Sequence, residues 1–136
     1  MKIWYGYGSE HSMNLVMIGR FEDAGDAAKA KQVIDWLTEQ VSADVQAGLI
    51  EVGEPAHRFT DHMLDLLRKA NFMSIGPTEL EQFAYEVTVK LEDKQVVVTT
   101  DEIDVSAFLK VLLDHGARVE VFSAHQHPET EYGRGK

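Results

Sequence analysis

Residues 85–124 decide the fold, and they read YEVTVKLEDKQVVVTTDEIDVSAFLKVLLDHGARVEVFSA. Apolar and polar residues alternate along 85–91, and a valine-rich run follows at 95–100. This predicts two strands joined as a hairpin by the polar turn at 92–94. Apolar residues at helical spacing then predict a helix over 105–115, and alternation over 118–124 predicts a final strand. The stretch is therefore expected to form a ββαβ unit.

A looser copy of the same order lies nearer the N-terminus. Residues 2–7 and 14–21 are expected to be extended, 24–45 a helix, and 49–52 a short strand. A further helix is predicted to begin at Thr60. Together the two copies predict an α+β fold with a mixed or antiparallel sheet and helices on one face. The pattern resembles a ferredoxin-like fold with a pseudo-duplicated ββαβ arrangement.

Several residues are predicted to begin, end or pack these elements. Asp23, Thr60 and Asp104 are placed as N-terminal helix caps, and Gly116 as a left-handed C-terminal cap. Gly19 interrupts an apolar run, which indicates either a bulge or a close backbone approach. The core is predicted from the apolar stripe of each element: Val16, Ile18, Ile34, Leu37, Val87, Val89, Phe108, Leu112, Val119 and Val121.

Composition limits the classes of protein that this chain can represent. Its 136 residues are 44% hydrophobic, enough for the core of one domain, which we expect over 1–127 with a polar tail at 128–136. Cysteine is absent, which excludes disulfides and thiol nucleophiles. The net charge of -10 without a basic cluster argues against direct binding to nucleic acid or to an anionic membrane. We expect a cytoplasmic protein.

The opening residues carry a resemblance to a known group of proteins. They read MKIWYGYGSEHSMNLVMIG, and the similarity extends through the first helix to about residue 45. The segment resembles a small family of uncharacterised bacterial proteins. The resemblance implies a bacterial origin and supplies no catalytic residues.

The loop at 8–12 is the first candidate site. Ser9, Glu10, His11 and Ser12 bring a hydroxyl, a carboxylate and an imidazole together between two predicted strands, and Glu and His are not favoured turn formers. The nearby aromatic residues Trp4 and Tyr7 are candidates for lining a ligand or partner surface. The alternative is a polar loop whose side chains bond its own backbone.

A metal site is the second candidate. His125 and His127 are two residues apart at the end of the predicted last strand, so both imidazoles point the same way. His11, or Glu10, would complete a site for a divalent metal such as zinc if the loop lies beside that strand end. The alternative is that these histidines decorate the surface before the polar tail.

These patterns favour a small acidic protein–protein interaction or regulatory module without catalytic activity or a cofactor. Open sheet edges and aromatic residues on strands are suited to self-association or to a protein partner. The first alternative is a metal- or ligand-binding protein, or an enzyme, with its site at Glu10, His11, His125 and His127. A further alternative is an acidic inhibitor that mimics nucleic acid.

Overall fold

A computed structural model describes residues 15–54, 56–102 and 104–123. The strands are β1 (Leu15–Arg20), β2 (Val87–Glu92), β3 (Gln95–Thr100) and β4 (Arg118–Ser123). The helices are α1 (Ala24–Gln46), α2 (Asp61–Ala70) and α3 (Ser106–Asp114), with a 3₁₀ helix at Pro77–Ala84. The predicted hairpin and the helix and strand that follow it are confirmed, with ends shifted by one or two residues. The 3₁₀ helix was not predicted.

The four strands form one antiparallel sheet in the order β2-β3-β1-β4. β1 is central, because it pairs with β3 on one side and with β4 on the other. β2 pairs with β3 as the hairpin. The fold class is therefore α+β with an antiparallel sheet. Because β1 pairs with a strand along each of its two edges, it has no free edge with which to pair with a further strand.

The helices pack on one face of the sheet. Leu15 and Met17 of β1 face a hydrophobic cluster with Ile34 and Leu37 of α1 and with Leu112 of α3. The 3₁₀ helix contributes Phe83, whose ring centroid lies 4.9 Å from that of Phe108. None of the helices in the described part of the chain is both long and apolar enough to cross a membrane.

Most of the predicted core residues are buried in this cluster or packed against it. Ile34, Leu37, Phe108, Leu112 and Val121 are buried, and Val87, Val89 and Val119 pack against the cluster while half-buried. Val16 and Ile18 are also buried but do not belong to it. Their separation from the cluster follows from strand alternation, which points them to the opposite face.

The predicted strand at 49–52 is wrong. The backbone there forms bends and turns, because the N–H groups of Leu49 and Ile50 both donate to the carbonyl oxygen of Asp44 at 2.9 and 3.2 Å. Gly48 supplies the left-handed conformation that this reversal needs, with φ of 78°. The Asp44 side chain is buried and accepts from Gln40 and Thr60, which ties the end of α1 to the start of α2.

Two of the three predicted N-terminal caps are confirmed. The Asp23 carboxylate accepts from the N–H of Asp26 at 2.9 Å, and the Thr60 hydroxyl accepts from the N–H of Met63 at 3.1 Å. Asp104 does not cap α3. Val105 occupies the cap position, and the N–H of Ala107 instead donates to Gln82 Oε1 at 2.7 Å. The partner that α3 needs therefore comes from the 3₁₀ helix.

Gly19 marks a close approach and not a bulge. Its strand pairs continuously with β3 and β4. A Cβ atom at this position would lie 3.2 Å from Leu112 Cδ1 and 3.4 Å from the Cβ of Ala117. Glycine thus lets α3 and the start of β4 lie against the centre of the sheet.

Candidate functional site

The candidate site is the face of the sheet opposite the helices, which we call the rear face. Leu15, Met17, Val96, Val98 and Val121 belong to the helix-covered cluster, so the residues that alternate with them point the other way. The rear face comprises Val16, Ile18, Arg20, Thr88, Lys90, Glu92, Gln95, Val97, Thr99, Arg118, Glu120 and Phe122.

Strand register arranges the rear face in three rows of four residues. The rows, each written from β2 to β4, are Thr88, Thr99, Val16 and Phe122; Lys90, Val97, Ile18 and Glu120; and Glu92, Gln95, Arg20 and Arg118. The middle of the second row is therefore apolar, whereas in the first row Val16 lies beside Thr99. The third row is polar throughout.

The centre of the rear face excludes water. Val16 and Ile18 are only 6% and 5% exposed, and neither belongs to the helix-covered cluster. Val97 and Phe122 beside them are half-buried, whereas Lys90 and Glu120 at the two edges are exposed. The exposed side chains of the rear face are therefore polar or charged, and most of them lie at its edges.

The charged side chains of the rim are incompletely paired. Arg20 forms an ion pair with Glu120 on the neighbouring strand. Arg20 also lies directly opposite Arg118, and like charges in that position repel. Within 15–54, 56–102 and 104–123, Arg118, Lys90 and Glu92 take part in no ion pair. Three charges at the edges of the face thus have no countercharge among the described residues.

A cleft borders the third row of the rear face. It has a volume of about 490 Å³ and lies where β1, the start of α1 and β4 meet. Its lining residues are Arg20, Phe21, Glu22, Asp26, Gly116 and Arg118. Because the two arginines are accompanied by two carboxylates, the cleft is of mixed charge and favours no simple anion or cation.

A polar network between the 3₁₀ helix and α3 is the other concentration of ionisable groups. The Glu79 carboxylate accepts from Lys110 Nζ at 2.7 Å, from Ser106 Oγ at 2.7 Å and from the N–H of Gly76 at 2.9 Å. Partial burial alone would raise the pKa of Glu79, but these hydrogen bonds and the Lys110 charge outweigh it and lower the pKa. Every oxygen of the carboxylate is thereby occupied, so the network fastens two helices and offers no free base.

The site residues predicted from the sequence lie outside the described residues. These are Trp4, Tyr7, Ser9, Glu10, His11, Ser12, His125 and His127. Among the other histidines, His57 and His62 are exposed, and His115 Nδ1 lies 2.9 Å from the carbonyl oxygen of Val111 at the end of α3. No group of three or more His, Asp or Glu side chains in the described part of the chain is arranged to hold a metal ion.

The rear face was not predicted as a site, although the alternation of its residues with core residues is visible in the sequence. Thr88, Lys90 and Glu92 alternate with core residues on β2, as Arg118 and Glu120 do on β4. The centre of the rear face could not be predicted from the apolar run of β1. In a continuous apolar run, nothing in the sequence shows that alternate residues face opposite sides of the sheet.

These observations define the class of protein: an α+β protein whose antiparallel sheet carries helices on one face and exposed polar and charged side chains along the edges of the other. The chain belongs to a family of unknown function, DUF6375, which it matches over residues 1–134. The expectation of an uncharacterised family is confirmed. Comparison with curated proteins and with solved structures found no match.

Proposed function

We propose that this protein is a small acidic interaction module of the bacterial cytoplasm that binds a protein partner through its rear face and has no catalytic activity. The observation that carries the proposal is the composition of that face. Lys90, Glu92 and Arg118 lie exposed at its edges, and none of them forms an ion pair within the described residues. A protein partner would supply countercharges to these side chains.

Topology supports the finer proposal of a ferredoxin-like fold. The order β1-α1-β2, followed by β3-α3-β4, gives two split βαβ units. In each unit one strand of the other unit lies between its two strands, as the sheet order β2-β3-β1-β4 requires. The repeated βαβ order is consistent with pseudo-duplication. The longer ββαβ form also requires the predicted strand at 2–7. The strand that completes the first unit after its helices is β2, and not the predicted strand at 49–52.

A photo-crosslinking residue placed on the rear face tests this function in living cells. Thr99 is the position of choice, because it is exposed near the middle of the face. Leu113 on α3 is the matched control, since it is also exposed but lies on the helical side. We expect an intermolecular adduct from position 99 and none from 113. Absence of an adduct from position 99, or equal yields at both, would refute a binding role for the face.

The metal- or ligand-binding alternative and the nucleic-acid mimic stay predictions. The first depends on Glu10, His11, His125 and His127, which lie outside the described residues. The second depends on the net charge of -10. Along each edge strand of the rear face, a basic side chain is followed by an acidic one. A mimic of a polyanion would instead need a uniformly acidic surface.

A further inference from the structure

We propose that the outer edge of β2 pairs with the same edge of a second copy of this chain, so that the two sheets join into one continuous antiparallel sheet. This inference goes beyond the proposed function, because it concerns an edge of the sheet and not its rear face. It is carried by the backbone groups along this edge and by a side-chain pattern that complements itself in one antiparallel register.

Three residues of β2 direct their backbone N–H and C=O groups away from β3. The N–H of Phe21 donates to the carbonyl oxygen of Lys94, so even-numbered residues of β3 bond to β1 and odd-numbered ones bond to β2. The β2 partners of those odd-numbered residues are even-numbered, which leaves Val87, Val89 and Leu91 with outward backbone groups. Within the described residues, no strand pairs with this outer edge. Such an edge is a template for a further strand.

The side chains along this edge are accessible on both sides of the strand. On the helical side, Leu91 is 44% exposed, and Val87 and Val89 are half-buried. The residues that alternate with them are polar and exposed: Glu86, Thr88 and Lys90. A strand laid along this edge would therefore cover apolar side chains on one side and meet polar ones on the other.

The charged residues select a register in which Thr88 lies on a two-fold axis and faces its own copy. Glu86 of each chain then faces Lys90 of the other, so the same opposite-charge pair forms twice. Neither residue forms an ion pair within the described part of the chain. A lysine on an edge strand normally discourages pairing, but here the second copy supplies its countercharge.

The same register suits the backbone and the helical side of the strand. Val87 faces Val89 of the second copy, and because both have outward backbone groups, they can exchange hydrogen bonds. Tyr85 faces Leu91, which gives the exposed leucine an aromatic neighbour. The backbone of Tyr85 is extended, with φ of -74° and ψ of 159°, so the pairing can continue to this residue.

Other registers that keep the backbone match are less favourable. A register centred on Val89 would place Glu86 opposite Glu92 twice, and one centred on Lys90 would place that lysine opposite its own copy. Like charges in these positions repel. A register centred on Leu91 would pair Lys90 with Glu92, but β2 ends at Glu92, so the two strands would overlap only from Lys90 to Glu92.

The limited contact predicts a weak dimer. A single pair of edge strands buries less than the ~800 Å² per partner of a standard interface. We therefore expect a dissociation constant between about 1 µM and 1 mM. The dimer should weaken as salt screens the two charge pairs.

Single introduced cysteines test the register, since the chain contains no cysteine of its own. Residues in a non-hydrogen-bonded pair, such as Thr88 and its copy, have Cα atoms about 4.5 Å apart, which a disulfide can span. Thr88→Cys should therefore form a covalent dimer rapidly under a mild oxidant. Glu92→Cys is the matched control on the same side of the strand. Its two copies would lie more than about 20 Å apart and should crosslink only by random collision.

A charge swap tests the pairing independently of crosslinking. Glu86→Lys and Lys90→Glu should each weaken dimerisation roughly tenfold, because each repulsion occurs twice. The double variant should return close to the wild-type dissociation constant. Within one chain the two residues lie about 13 Å apart along the strand, beyond the screening length of about 8 Å, so restoration must act between copies.

Sedimentation equilibrium across a concentration series measures the dissociation constant of each variant. Glu39→Lys and Lys29→Glu, exposed on α1, are controls of the same charge change and should leave dimerisation unchanged. Circular dichroism confirms that each variant is folded.

Three results would overturn the proposal. The first is a chain that stays monomeric up to about 1 mM. The second is equal crosslinking rates at positions 88 and 92. The third is a dimer whose double charge variant is no tighter than the weaker single variant. None of these results decides the proposed function, because the binding role of the rear face is measured separately by the adduct from position 99.

Discussion

At the scale of single residues, Gly19 determines how closely the helical layer approaches the sheet. Leu112 and Ala117 occupy the space where a side chain at position 19 would begin. Leu112 is fully buried, so its methyl groups have little room to move aside. The absence of one Cβ is therefore what brings α3 close to β1.

Gly19→Ala should destabilise the protein by about 1–3 kcal/mol, because the new methyl group overpacks a filled contact. Chemical denaturation measures the change. Gly76→Ala is the matched control, because the φ angle of Gly76 is -95° and a Cβ atom there would make only an ordinary contact, 3.8 Å from Glu79 Oε1. A loss of less than about 0.5 kcal/mol in Gly19→Ala would mean that α3 moves away at little cost.

Helix caps show what could be predicted at this scale and what could not. Asp23 and Thr60 cap the helices that begin next to them, so their role is visible in the local sequence. The cap of α3 comes from Gln82, which is 25 residues away from the N–H that it accepts. Asp104 has the right residue type and position, but no local pattern reveals that a distant side chain takes its place.

At the scale of elements, the 3₁₀ helix and α3 are fastened together by polar contacts as well as by packing. Ser106 Oγ donates to Glu79 and accepts from Gln82 Nε2, so both residues of the 3₁₀ helix meet at the start of α3. Lys110 adds an ion pair one turn later. The geometry of α3 against the sheet thus depends on an element that the sequence did not predict.

Glu79 makes that attachment sensitive to acid. The folded protein lowers the pKa of its carboxyl below 4.5, so the unfolded chain binds the proton more readily. The stabilisation by Glu79 is therefore complete above about pH 4.5 and disappears as pH falls through the lowered pKa. Glu79→Gln should be less stable than wild type at neutral pH, and the difference should shrink in acid.

Thermal unfolding of both proteins from about pH 7 to pH 3 provides the measurement. Glu39→Gln removes an exposed carboxylate on α1 and is the control, which should follow the wild-type profile. A stability difference between Glu79→Gln and wild type that stays constant with pH would show that the Glu79 charge does not stabilise the fold.

Local sequence patterns predicted individual strands of the sheet, but they did not predict which residues share its rear face. Alternation predicted β2 and β4, and the hairpin connects β2 to β3 through Asp93 and Lys94, two of the three predicted turn residues. The position of β1 between β3 and β4 depends on pairing between residues such as Leu15 and Ser123. Such long-range pairing decides which side chains share a row, so the candidate site could not be assembled from the sequence.

At the scale of the whole molecule, the net charge of -10 sets the interactions that the surface permits. Binding to duplex DNA depends on basic groups that displace counterions from phosphates. We expect no measurable binding to duplex DNA at physiological salt in a fluorescence anisotropy titration. Salt-sensitive binding at micromolar protein would show that the residues outside the described ranges carry a basic surface.

The central position of β1 has a consequence for the newly made chain. Leu15 pairs with Thr100 and with Ser123, both synthesised long after it. A ribosome that adds about 5–20 residues per second needs about 5–20 s to bridge that interval. Until then the apolar segment Leu15–Ile18 has neither of its neighbouring strands. Among the four described strands, the one with neighbours on both sides and the earliest place in the chain is therefore available longest to the ribosome surface and to chaperones during translation.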